Sequence, residues 1–263
     1  MKLVSVIIPV FNAECFVENA VKSAFNLKSV GEVILVEDGS TDDSFEVCQR
    51  LSADYKNVRL LYHANHKNCG AGASRNLGIT SSNFPYIAFL DADDQYLPRR
   101  FDKLNDLIRD HISFDGIYEA AKYMGSDGKI FSINNDSIPP SKLFHYLLRG
   151  TYGHFCTNSI TVKKQLLIRA GMFNESLRLH QDSELWLRLA HFGNLIAGNI
   201  VEPVALIRRH EGNRVWKGTT IETRITQWKA TWDWAKKERV GVLEKMLIIR
   251  KLVKLFWRYR LKK

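Results

Sequence analysis

The sequence predicts an α/β fold in which a mostly parallel sheet carries helices on both faces. Three observations lead there. Short apolar, β-rich runs alternate with segments of helical spacing; each run has the length of a buried strand; and acids or amides gather where the runs stop. In such sheets ligands bind beyond the carboxyl ends of the strands, so these polar clusters mark the expected site.

Val4 to Val10 reads as the first strand and ends in Pro9-Val10-Phe11-Asn12-Ala13-Glu14, after which Phe16, Ala20, Val21, Ala24 and Phe25 recur at helical spacing. Val33 to Val36 is the next strand, closed by Glu37-Asp38-Gly39-Ser40-Thr41-Asp42-Asp43. A second helix through Phe45, Val47, Cys48 and Leu51 follows, with Ser40 and Asp43 spaced as a reciprocal cap. Val58 to Tyr62 makes a third strand, and Asn68-Cys69-Gly70-Ala71-Gly72-Ala73-Ser74-Arg75-Asn76 leads into a third helix. Tyr86 to Leu90 is a buried strand that runs straight into Asp91-Ala92-Asp93-Asp94. Alternation along an extended backbone would aim Asp91 and Asp93 the same way, at one hard cation. Asp94 could instead start the helix marked by Leu104, Leu107 and Ile108 beyond Pro98.

Beyond residue 115 the pattern loosens. Gly125-Ser126-Asp127-Gly128 reads as a hairpin-like turn, and Pro139-Pro140 breaks the chain before a helix from Ser141 to Leu148. Residues 1–235 are expected to fold together, 1–115 and 116–235 being two halves of one domain, with 236–263 as a tail.

The net charge of +10 is concentrated at one end: residues 236–263 hold 11 Lys and Arg against 2 acids, leaving 27 basic and 26 acidic residues before them. A nearly neutral body, with aromatics not interleaved among its cations, argues against a nucleic-acid partner. Cys15, Cys48, Cys69 and Cys156 show no paired spacing, as expected of reduced thiols in a cytoplasmic protein. No apolar run approaches the roughly 20 residues a bilayer span needs. Gly70-x-Gly72 does not extend to a dinucleotide fingerprint, since its third glycine would fall at Arg75, and no Gly-Lys-Ser/Thr follows.

In the tail, Val242, Met246, Ile249, Val253 and Phe256 recur at steps of four and three, while Lys251, Lys254, Arg258 and Lys262 fall on another side. This basic amphipathic helix suits an anionic membrane surface; the alternative is a last helix packed on the body.

Together Ser5-Val6-Ile7-Ile8-Pro9-Val10-Phe11-Asn12, Val36-Glu37-Asp38-Gly39-Ser40-Thr41-Asp42, Gly72-Ala73-Ser74-Arg75-Asn76-Leu77-Gly78 and Phe89-Leu90-Asp91-Ala92-Asp93-Asp94 resemble the family 2 glycosyltransferases in order and separation. The likeness continues at Gly171-Met172-Phe173-Asn174-Glu175-Ser176-Leu177, at Gln181-Asp182-Ser183-Glu184-Leu185-Trp186-Leu187-Arg188-Leu189 and at Arg208-Arg209-His210-Glu211-Gly212-Asn213.

The resemblance implies a GT-A type fold with a Rossmann-like sheet. It implies inverting transfer of a sugar from a nucleotide diphosphate, commonly UDP, to a hydroxyl of a saccharide or lipid-linked acceptor in cell-surface polysaccharide synthesis. Mn²⁺ or Mg²⁺ is the implied cofactor. Asp93 would bind the metal that bridges the phosphates and His210 would complete its shell. Asp91 would lie near the ribose, Asp38 would accept from the base, Phe11 would stack on it and Arg75 would approach the donor. Pro9, Asn12, Glu14 and Ala92 would complete the nucleotide-sugar pocket. Asp182 would be the catalytic base, in the first turn of an amphipathic helix. The loop Arg208 to Lys217, with Asn213 and Trp216, would fold over the donor. One departure stands out: relatives usually carry Glu immediately before this Asp, and here it is Gln181. A non-catalytic nucleotide-sugar-binding module is therefore the alternative. The tail would hold the protein peripherally on the inner face of the cell membrane.

Overall fold

The computed structural model describes residues 1–150, 155–209 and 219–261. Its central strand is β1 (Val4–Val10), in which every residue but Pro9 is buried. On one side β1 pairs in parallel with β2 (Val30–Glu37) and β2 with β3 (Val58–Tyr62); on the other, β1 pairs in parallel with β4 (Tyr86–Phe89). The connections are α1 (Val17–Phe25), α2 (Ser44–Asp54) and α3 (Ala71–Ser81). Alternate residues of β1 face opposite layers: Val6, Ile8 and Val10 join the core with Val17, Ala20 and Val21 of α1, whereas Ile7 joins the core with Ile79 of α3. Burial on both faces explains why β1 and β4 read as nearly continuous apolar runs, whereas the edge strand β3 is only partly buried and carries Arg59.

Strand β2 begins earlier than the apolar run suggests because Glu32 lies inside it. The Glu32 carboxylate accepts from Ser5 Oγ and Asn83 N, each at 2.6 Å, and pairs with Arg59 at 2.8 Å. Helix α2 starts without the Ser40–Asp43 reciprocal cap. Instead Asp42 Oδ1 accepts from Ser44 N at 3.1 Å and Glu14 Oε2 from Asp43 N at 2.8 Å.

Later chain extends the same sheet with β6 (Gly116–Tyr118), β9 (Ile160–Lys163) and β10 (Leu195–Ala197), giving the order β10-β6-β9-β4-β1-β2-β3. Only β9 runs antiparallel to its neighbours, β4 and β6, so the sheet is mostly parallel with one reversed strand. A second sheet, in the order β5-β11-β7-β8, comprises β5 (Gln95–Tyr96), β7 (Ala121–Met124), β8 (Ile130–Asn134) and β11 (Ala205–Arg208). The sequence foreshadows only its β7–β8 turn, where Gly125 N donates to Lys129 O.

The remaining helices are α4 (Asp102–Arg109), α5 (Pro140–Arg149), α6 (Lys164–Arg169), α7 (Gln181–Phe192), α8 (Ile221–Lys237) and α9 (Val242–Arg260). Leu185, Trp186 and Leu189 bury one face of α7, and the Glu184–Arg188 pair at 2.6 Å is buried as well. Helix α9 lies along α8 and the end of α5, with Ile248 and Leu255 buried and Leu247, Leu252 and Tyr259 packed beside them. The expected stripe faces elsewhere: Val242, Met246, Ile249, Val253 and Phe256 are between 42% and 75% exposed. Lys251 does not join Lys254 and Arg258 in solvent, because its Nζ donates to Arg149 O at 3.1 Å and lies 5.5 Å from the Trp228 ring. Among the described residues no helix is long and apolar enough to cross a membrane.

Candidate active site

Strand β4 stops at Phe89, and Asp91 to Asp94 form a tight turn closed by Asp94 N donating to Asp91 O at 3.0 Å. The acids gather through this turn and not through strand alternation. Nor does Asp94 start a helix, since α4 begins only at Asp102. Asp94 is 3% exposed; its Oδ1 accepts from Arg208 N at 2.7 Å and its Oδ2 from Asn158 Nδ2. Burial, with the Asp93 and Asp91 charges adding to it, pushes its carboxyl well above the ordinary range. Asn158 Oδ1 also accepts from Asp91 N at 2.8 Å, so one amide side chain grips both ends of the turn. The Asp91 carboxylate receives Arg75 Nη2 at 2.5 Å. Desolvation in the cleft raises the Asp91 acid, with Arg75 opposing it and Asp93 and Asp182 reinforcing it.

These residues border a cavity of about 500 Å³, which Pro9, Phe11, Asn12, Asp38, Arg75, Asp91, Ala92, Asp93 and Asp182 all line. Strand ends far apart in sequence thus meet in one crevice, as the fold requires. Glu14 is not among its walls, because its carboxylate serves the start of α2. His210, Asn213 and Trp216 lie outside the described residues. Asn12 ties two loops together: held in the left-handed region at φ 49°, it accepts from Thr41 N at 2.8 Å. Asp38 is likewise engaged, for Oδ1 accepts from Cys69 N at 2.7 Å and both oxygens accept from Gly70 N. Gly70 has φ +93°, which only glycine adopts without strain.

Asp182 occupies the first turn of α7, where its Oδ1 accepts from Ser183 N at 2.7 Å and from Ser183 Oγ at 3.3 Å. The preceding Gln181 is 9% exposed and lies flat on α3: a Cβ on Gly72 would fall 2.2 Å from Gln181 Oε1. His180, to which the sequence gives no role, also lines the cavity. Burial lowers its pKa, Asp182 opposing, and Nε2 lies 3.4 Å from Thr223 Oγ1 on α8. Arg178, Arg208 and Arg209 join Arg75 in the walls, with Tyr123 and Thr157. Arg208 and Arg209 belong to the Arg208-Arg209-His210 motif, whereas Asn158 is an isolated amide in an aperiodic stretch and carries no sequence signal.

The donor set suits a hard cation in part. Asp93 offers a carboxylate at the cavity wall, and ions of the Mg²⁺ class take one or two carboxylates and fill the rest with water and phosphate oxygens. Among the described residues no three His, Cys, Asp or Glu side chains form a ready-made metal cluster. Asp93 is the described side chain that would hold such an ion.

The sequence profile described as "Glycosyl transferase family 2" matches residues 5–162. The chain belongs to this family. As a family 2 chain it is 32% identical over 204 residues to an uncharacterized glycosyltransferase of Rickettsia bellii, covering 74% of this chain and 27% of that protein. It is 31% identical over 201 residues to the succinoglycan biosynthesis protein ExoU of Rhizobium meliloti, covering 70% of this chain and 56% of that one. The chain thus spans about a quarter of the first relative and about half of the second. The crystal structure of S. aureus TarS 1-349 in complex with UDP-GlcNAc matches with a TM-score of 0.75 at 16% identity, over 98% of this chain and 73% of that one. The likeness is one of fold, the GT-A arrangement of this family. Asp182 lies beyond the segment that the family profile matches.

Proposed function

We propose that this family 2 chain is an inverting glycosyltransferase that moves a sugar from a nucleotide diphosphate to a hydroxyl of a saccharide or lipid-linked acceptor in cell-surface polysaccharide synthesis. The observation that carries the reading is the meeting, in one cavity, of the Asp182 carboxylate with the Asp91–Asp94 turn and four arginines. Asp182 accepts the proton of the acceptor hydroxyl as its oxygen bonds to the anomeric carbon; on the opposite face the bond to the diphosphate breaks and its electrons leave with the phosphate. One face attacked and the other vacated gives inversion. Arg178, Arg208 and Arg209 supply positive charge to the departing diphosphate, while Arg75 holds Asp91 in place. Mg²⁺ or Mn²⁺, held by Asp93 and in our reading by His210, would neutralise the same charge. UDP is our choice of carrier, in keeping with the UDP-GlcNAc complex of the TarS neighbour.

UDP with Mn²⁺ at about 100 times its dissociation constant should stabilise the fold by about 2.7 kcal/mol, a rise in melting temperature of roughly 5 °C or more. Asp93→Asn should lose most of that rise. A protein whose melting temperature ignores UDP, GDP, dTDP and their sugars with the ion present would end the proposal.

We place the protein at the cytoplasmic face of the membrane, and the exposed stripe of α9 supports peripheral binding there. Basic residues near an anionic surface add about 1 kcal/mol each, and apolar side chains add burial at the headgroup level. Ile249→Asp with Val253→Asp should cut co-sedimentation with phosphatidylglycerol vesicles at least tenfold; equal binding by variant and parent would refute the placement.

A further inference from the structure

A second cavity, about 1270 Å³, opens where the end of α5, the first turn of α8 and the later turns of α9 meet. Its polar walls are cationic: Arg149, Arg224, Arg250, Lys251, Lys254 and Arg258 border it, against one acid, Glu222. Among the described residues none of the six cations is in an ion pair. Some exposed cations elsewhere are paired locally, as Lys22 is with Glu18 and Lys236 with Asp233, and others, such as Lys28 and Lys56, stand singly among the described residues; here six border one cavity. Burial pushes the Lys251 ammonium below its usual range, and Lys254, Arg224 and Arg258 add repulsion to it. Like charges gathered at one cavity oppose folding unless an anion sits among them. Leu148, Ile221, Leu247 and Leu255 add apolar side chains to its lining.

One side-chain contact links the walls of the two cavities. The α8 turn that supplies Thr220, Ile221 and Arg224 to the wall of the second carries Thr223, whose hydroxyl meets His180 of the Asp182 cavity at 3.4 Å. We propose that this cationic cavity binds a phosphate- or diphosphate-bearing segment of the acceptor, anchoring it so that its hydroxyl reaches Asp182. The assignment rests on the glycosyl-transfer reading and names the acceptor class for it. Multiple guanidinium and ammonium donors around a pocket of this size suit phosphate oxygens.

The test uses the full chain in EDTA, titrated with inorganic pyrophosphate by calorimetry. Arg250→Glu with Lys254→Glu changes two exposed side chains of α9 and should weaken pyrophosphate at least tenfold, while UDP with Mn²⁺ in a separate titration stays within a factor of about two. Farnesyl diphosphate and a soluble glycerol phosphate oligomer, run alongside, tell a lipid-carried diphosphate from a phosphate polymer; either one bound and then lost in the double variant supports the site. Pyrophosphate that does not bind, that UDP displaces, or that binds the double variant as well as the parent overturns it. So does single-stranded RNA bound more tightly than every phosphate probe. Loss of the pyrophosphate response with an intact UDP response removes this cavity alone, whereas absence of a UDP response strikes the transfer reading itself.

Discussion

Asp182→Asn is expected to lower sugar transfer by about a hundredfold or more, at least about 2.7 kcal/mol in the barrier, with UDP affinity held within a factor of about two. The amide keeps the shape of the acid and an oxygen for Ser183 N, which now donates to Asp182 Oδ1 at 2.7 Å, so the start of α7 should persist. What is lost is a site for the acceptor's proton. Transfer by the Asn variant at the parent rate would move the base elsewhere. A parent that binds UDP-sugar but never turns over would favour the non-catalytic module, with Gln181 in place of the usual Glu as its first suspect.

The second large effect is on stability. Arg100 and Glu119 form an ion pair at 2.7 Å in which both side chains are 0% exposed, and Arg100 also donates to Asn158 O at 3.1 Å and to Ile160 O at 2.8 Å. Glu119→Ala should cost about 3–5 kcal/mol, because it leaves a guanidinium buried without its counter-charge. Denaturant unfolding measures this as a lower midpoint at unchanged slope. Arg100→Leu with Glu119→Leu should cost much less than the single change, since no orphaned charge remains. A loss under about 1 kcal/mol for Glu119→Ala would mean that water reaches Arg100. The pair matters to the site as well, for the Arg100 contact fixes the backbone of Asn158, whose side chain clamps Asp91 and Asp94.

Sequence made residues 1–115 legible because β1, β2 and β4 are mostly apolar and buried and the chain leaves each through a polar cluster. The bounds of β1 and β3 agree with their apolar runs, whereas β2 was cut short by Glu32, a charge whose partners Ser5, Asn83 and Arg59 are distant in sequence. Strand β8 gave no periodic signal because Ile130, Phe131, Ser132 and Ile133 are all exposed, so neither face is selected. Glu14 is near Asn12 in sequence, yet its carboxylate turns to the backbone at the start of α2. A lone histidine such as His180 carries no pattern in sequence; the left-handed bend at φ 60° before α7 brings it to the cavity wall. In the tail the periodicity found a real helix, but the face that packs is set by Ile248 and Leu255, which α8 supplies with a partner.

The reversed strand β9 sits between β4 and β6, and β4 is the strand that delivers the acidic turn. A chain severed near residue 115 would therefore leave the bare edge of β4 seeking another polypeptide, beside acids stripped of Asn158. The two halves are stitched, not stacked. Splicing the halves of two relatives would need grafts that carry the β9 stitch along with the Asn158 turn that precedes it.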